Sequence, residues 1–128
     1  MDYFSSNSLL LMEKSMNFLW AKQSAISDNI ANAETPNYKA KIVTFEENLR
    51  DKMDQALRSA TPRAKLRETL ENSNFAVFST QDSTRMDDNG VNTTEQMVEL
   101  VRNAYQLQYV MNAISTDLST LRTAINGK

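Results

Sequence analysis

The stretch from Ser27 to Ala40, SDNIANAETPNYKA, decides where this chain can run as continuous helix and where it must turn. Asn29 to Ala33 carry a helical pattern, but Pro36 has no backbone N–H to donate and its ring pushes Thr35 out of the α region. The helix is therefore expected to stop near Ala33 or Glu34. Asn37 follows the proline, and asparagine is one of the few residues with a side chain that tolerates positive φ. A turn is expected at Asn37, from which Tyr38 and Lys39 leave in a new direction.

Both arms of the chain carry a heptad pattern. In the first, Leu9, Met12, Met16, Leu19, Gln23, Ile26, Ile30 and Ala33 alternate spacings of three and four. That pattern predicts a helix of roughly 29 residues, about 43 Å long. In the last, Met97, Leu100, Ala104, Leu107, Met111, Ile114, Leu118, Leu121 and Ile125 repeat the device. Asn92 with Glu95, and Thr93 with Gln96, fit a capping box at its start, and Gly127 fits its end. The predicted fold is mainly α: residues 1–35 and 92–128 form long helices packed as an antiparallel coiled-coil hairpin. Residues 36–91 form a small irregular or β-containing middle segment.

Each arm also holds apolar residues off its seam: Leu10, Leu11, Phe18, Trp20 and Ala25 in the first, Val98, Val101 and Tyr105 in the last. A two-helix hairpin buries one stripe per helix, so these rows stay exposed as a partner surface unless the middle segment folds back over them. Their polar neighbours are rich in Ser, Asn, Gln and Thr, which pair across a crowded interface without burying charge. This favours the partner surface.

Charge divides the chain. Residues 1–33 hold five charged side chains and 92–128 hold six, leaving 19 of the 30 in the middle, which is therefore the more solvated part. Within it, a short helix is expected to run through Leu57, and Thr61-Pro62 breaks it. Residues 63–74 are charged and weakly patterned, and read as a loop or weak helix. Phe75 to Phe78 reads as a short strand, and Asn89-Gly90 as a tight turn of a small β element. With only 2 Gly and 2 Pro, the chain has too few breakers for a many-stranded sheet.

Candidate chemistry fails on inspection. There is no Cys and no His, which removes the thiol nucleophile and the commonest acid-base group. Asp87-Asp88-Asn89-Gly90 suggests a calcium loop, yet it would put Arg85 first and Gln96 twelfth, where acidic ligands are needed. Glu46 and Glu47 are sequence neighbours that point apart on a helix, as a solvated face does. A net charge of −2 gives no basis for nucleic-acid binding. Neither a small-molecule substrate nor a cofactor is called for. No signal-peptide pattern or membrane-spanning run is evident, so the chain is expected in the cytoplasm or to leave it without a cleaved signal.

The string Asn29-Ile30-Ala31-Asn32-Ala33-x-Thr35-Pro36-x-Tyr38-Lys39 resembles the N-terminal signature of the rod and hook family of the bacterial flagellum. That family usually has Gly where this chain has Asn37, and both residues adopt positive φ. Phe45-Glu46-x-x-Leu49 and Leu121-Arg122-x-Ala124-Ile125 are similar to features of its short proximal-rod subunits, and the hook and distal-rod types carry long insertions that this chain lacks. The resemblance implies a non-enzymatic subunit exported unfolded through the flagellar type III apparatus. It implies assembly in the periplasm, with other rod subunits and with itself, into a helical tube that meets basal-body ring and export-gate components. Asn29, Ile30, Asn32, Thr35, Pro36, Asn37, Tyr38 and Phe45 become the implied assembly residues. Two alternatives are another short proximal-rod subunit and a cytoplasmic helical adaptor or export chaperone.

Overall fold

Two long helices carry the fold of the computed structural model, which describes residues 6–45, 49–81, 86 and 88–127. Glu46 and Glu47, and Arg85 and Asp87 of the rejected calcium loop, lie outside the described residues. In chain order the elements are α1 (Asn7–Ala31), β1 (Lys41–Phe45), α2 (Leu49–Leu57), α3 (Pro62–Glu71), β2 (Phe75–Ser79) and α4 (Thr93–Asn126).

Capping sets the ends of both long helices. Ser6 Oγ accepts from Leu9 N at 3.1 Å and starts α1, while Asn92 Oδ1 accepts from Glu95 N at 3.3 Å and starts α4. Gly127 closes α4 at φ 66, with its N–H donating to Thr123 O. α1 stops at Ala31, short of the expected Ala33 or Glu34. Asn32 is its C-cap, and the Asn32 side chain reaches back to Asp28 O at 2.8 Å. Residues 32–37 then form the turn.

α1 and α4 pack along each other. Asn29 meets Gln96, Leu19 and Gln23 meet Asn103, and Ser6 and Leu9 share a groove with Leu118 and Leu121. Rising numbers on one helix meet falling numbers on the other, so the helices run in opposite directions. On α1 the row Leu9, Met12, Met16, Leu19, Gln23, Ile26 and Ile30 is buried or half-buried throughout.

On α4 the buried or half-buried residues are Gln96, Glu99, Leu100, Asn103, Leu107, Val110, Ala113, Ile114 and Leu121. They share Leu100, Leu107, Ile114 and Leu121 with the expected row, but Met97, Ala104, Met111, Leu118 and Ile125 lie exposed. The reason is chemical. α1 points two amide side chains, Gln23 and Asn29, at α4, and a buried amide without a partner is costly. α4 is turned to present Asn103 and Gln96 to them instead of Ala104 and Met97.

Of the loop or weak helix expected over residues 63–74, the helix is present for most of the length. Pro62 sits in the first turn, where its missing N–H costs nothing, and Leu66 and Leu70 form an apolar i, i+4 pair among the charges. α3 lies against α1: Lys14 Nζ donates to Glu71 O (3.2 Å) and Ser73 O (3.1 Å), and Asn7 Nδ2 to Arg63 O (3.1 Å). A lysine on the last carbonyls of α3 also opposes the negative end of its dipole. α2 spans the expected region and buries Leu49 and Ala56.

The expected strand at Phe75 is present as β2, but Asn89-Gly90 is not the turn of its hairpin. β2 pairs with β1 antiparallel, Val43 opposite Val77 and Phe45 opposite Phe75. An isolated pair of strands is marginal in water, and this one gains its support from α1. Val43 is buried, and the Phe45 ring meets Phe18 at 5.3 Å between centroids. The middle segment therefore does fold back over the second row of α1. It leaves that of α4 bare, with Val98, Val101 and Tyr105 exposed.

The asymmetry is measurable. Leu70 is 1% exposed and Leu57 56%. Leu70→Ala is expected to lower stability by about 2–5 kcal/mol through the cavity it leaves. Leu57→Ala should stay within about 0.5 kcal/mol of the parent, both read by urea titration.

Candidate assembly site

Asn29 stands at the centre of the junction between the arms and the middle segment. It lies in the last turn of α1 and its side chain is fully buried. Nδ2 donates to Lys41 O at 2.8 Å and to Gln96 Oε1 at 2.9 Å. Oδ1 accepts from Lys41 N at 2.7 Å and from the Tyr38 hydroxyl at 3.2 Å. Every donor and acceptor of the amide is used, and α1, the turn, β1 and α4 are tied to one side chain.

The turn itself is closed from two sides. Thr35 N donates to Asn32 O, Tyr38 N to Thr35 O, and Thr35 Oγ1 to Asn32 Oδ1 at 3.2 Å. Asn37 adopts φ 60, in the left-handed region. From the far end of the middle segment, fully buried Asn89 reaches in: Nδ2 donates to Asn32 O (3.0 Å) and Thr35 O (2.6 Å), and Oδ1 accepts from Val91 N (2.8 Å). Gly90 N donates to Tyr38 O at 2.9 Å. Beneath these bonds Ala33, Ala40 and Val91 form a small apolar cluster against Tyr38.

Among the implied assembly residues, Asn29 and Asn32 hold the junction by hydrogen bonds, Ile30 is half-buried, and Thr35, Pro36 and Asn37 are exposed at its rim. Tyr38 bridges to Asn29, and burial raises its hydroxyl pKa. Phe45 sits apart, on Phe18.

Ion pairs flank the polar contacts. Lys22 meets Glu99 across the helices at 2.9 Å, and Lys41 meets Asp28 at 2.8 Å. The hydrogen bond that Lys22 donates holds the Glu99 carboxyl below its ordinary range, and the one that Lys41 donates to Asp28 raises the Lys41 pKa. Asn103 Nδ2 donates to Leu19 O (3.1 Å) and Gln23 Oε1 (2.7 Å), while its Oδ1 has no hydrogen-bond partner among the described residues.

Reading by hydrophobicity passed over Gln96, Asn103 and Asn89, since neutral amides score as surface. A signal existed for two of them: Gln96 and Asn103 are seven apart and interleave with Leu100 and Leu107 at spacings of four and three. Asn89 had only its place before Gly90. Among the described residues no group of acidic side chains could hold a metal, and no helix is long and apolar enough to cross a membrane. The arrangement is one for holding helices at a set angle and offering apolar surface.

Comparison with known proteins points the same way. A family profile described as "Flagella basal body rod protein" matches residues 16–39, from the middle of α1 through the turn. The flagellar basal body rod protein FlgB of Bacillus subtilis (strain 168) is 29% identical over 126 residues, which is 95% of either chain.

Two measurements probe the junction. Because Asn37 has φ 60, Asn37→Gly is expected to leave stability unchanged or slightly raised, whereas Asn37→Val should cost about 1–3 kcal/mol of strain in urea unfolding. For Glu99, the folded pKa lies below the ordinary 4.5, so its contribution is present above that value and lost as pH falls through the depressed one. Its size, as for other solvent-screened pairs, is at most about 1 kcal/mol. The stability gap between the parent and Glu99→Gln should therefore close on acidification from about pH 6 to about pH 3.

Proposed function

We infer that this chain, which belongs with the flagellar basal-body rod proteins, is a structural subunit of the proximal rod, built into the axial drive shaft and not an enzyme. The observation that carries the reading to a mechanism is the bare outer row of α4. Val98, Val101, Tyr105 and Tyr109 are exposed in succession, and Trp20 is exposed on α1. A soluble monomer rarely keeps so large an apolar surface in water.

In this reading α1 and α4 act as an antiparallel coiled-coil hairpin. Leu9, Met12, Met16, Leu19, Ile26, Leu100, Leu107, Ile114 and Leu121 hold the two helices together. Met97, Met111 and Leu118 join the outer row in packing on neighbouring subunits. Residues 1–35 and 92–128 form the inner layer of a tube and 36–91 its charged outer layer. The junction residues Asn29, Asn32 and Tyr38 set the angle between the layers. Other rod subunits and further copies of this chain are the partners along the tube, with basal-body ring and export-gate components at its base. The chain works in the periplasmic part of the basal body and reaches it without a cleaved signal peptide.

The test is complementation in the source bacterium with its own copy deleted. Val101→Asp lies on the outer row, so the isolated variant should keep the parent's circular dichroism and urea midpoint. In cells it is expected to abolish motility, and isolated basal bodies should lack the rod, because a repeating interface would bury an unpaired charge in every copy. Wild-type motility of this variant would overturn the assembly role of the row.

A further inference from the structure

Both glycines of the chain follow an asparagine, in Asn89-Gly90 and Asn126-Gly127. Such a pair carries its own reaction, because glycine has no side chain to obstruct the approach of its backbone nitrogen to the preceding side-chain amide. The glycine nitrogen gives up its proton to solvent base and attacks Asn Cγ. A C–N bond forms, closing a succinimide ring, while the Cγ–Nδ2 bond breaks and Nδ2 leaves as ammonia after taking a proton from water. A second water then opens the ring to aspartate or isoaspartate.

We propose that Asn89 is a self-deamidation site that the folded junction holds shut, and that its reaction in an unfolded chain prevents that chain from closing the junction. Each atom the reaction needs is engaged in the fold. The Gly90 N–H, the nucleophile's precursor, donates to Tyr38 O at 2.9 Å. The departing Nδ2 donates to Asn32 O and Thr35 O, and Oδ1 accepts from Val91 N. The side chain has no solvent exposure. Asn126 is the opposite case, exposed at the last residue of α4.

The product does not fit where the amide did. Aspartate puts a carboxylate oxygen against the Asn32 and Thr35 carbonyls, acceptor against acceptor, in a site closed to water. Isoaspartate adds a methylene to the backbone and carries the Gly90 N–H away from Tyr38 O.

The experiment ages one protein sample in mildly alkaline buffer and another in urea at the same pH, reading both sites by peptide mass spectrometry. In urea the two sites should react at similar rates. In buffer Asn89 should slow by at least about tenfold, since it reacts only through opening of the junction, and Asn126 should slow much less. The urea sample is then returned to buffer and separated by size exclusion. Modified Asn89 should be depleted from the refolded fraction, with modified Asn126 equal in folded and unfolded fractions. Asn89→Asp should lower the urea midpoint or fail to fold, and Asn126→Asp should do neither. Equal Asn89 rates in buffer and urea, or free return of modified Asn89 to the refolded fraction, would overturn the proposal.

Discussion

One buried amide organises the molecule. The side chain of Asn29 presents to Lys41 the same donor and acceptor that a peptide unit of a neighbouring strand would present, accepting from its N–H and donating to its carbonyl. β1 begins at that residue. The remaining donor and acceptor go to Gln96 at the start of α4 and to Tyr38 in the turn. Each bond contributes about 1 kcal/mol net, and loss of the amide would deprive four partly buried groups of their partner at once. The junction is thus held by an all-or-none set of contacts rather than by apolar bulk, since its cluster is only Ala33, Ala40 and Val91 with Tyr38 alongside.

The long helices were legible because their signals are local: heptad spacing in both, and for the second a capping residue at its start and glycine at its end. The turn was legible for the same reason, since Pro36 and Asn37 restrict the backbone whatever surrounds them. The face of α4 was not, because hydrophobic spacing places Met97 and Ala104 inward. The choice of Gln96 and Asn103 depends on what Gln23 and Asn29 require across the interface. α3 was left open between loop and weak helix by its charge, since Leu66 and Leu70 are its only large apolar residues and Lys14, far away in sequence, caps its end. The pairing of β1 with β2 was hidden by distance along the chain.

The middle segment has one allegiance. β1 and α3 lie on α1, by Phe45 on Phe18 and by Lys14 on Glu71 and Ser73, so α1 is covered on two sides and α4 on one. The first helix is an internal beam, and the second presents an outer surface. The exposed tyrosines and valines of α4 follow from that division and not from a shortage of apolar residues in the middle.

The position of the junction has a mechanical consequence. It clasps the last turns of α1 to the first turn of α4, leaving the other ends of both helices far from it. α4 has 34 residues, about 51 Å of helix, so a tilt of about 5° at the clasp carries its far end about 4 Å sideways. Leu118 and Leu121 lie near that far end beside Leu9 of α1, so a shift at the clasp would have to be taken up by the packing of the two helices. Ala33 and Ala40 are buried against Val91, the residue before the N-cap of α4, so a larger side chain there would push on the start of that helix and the displacement would grow along it.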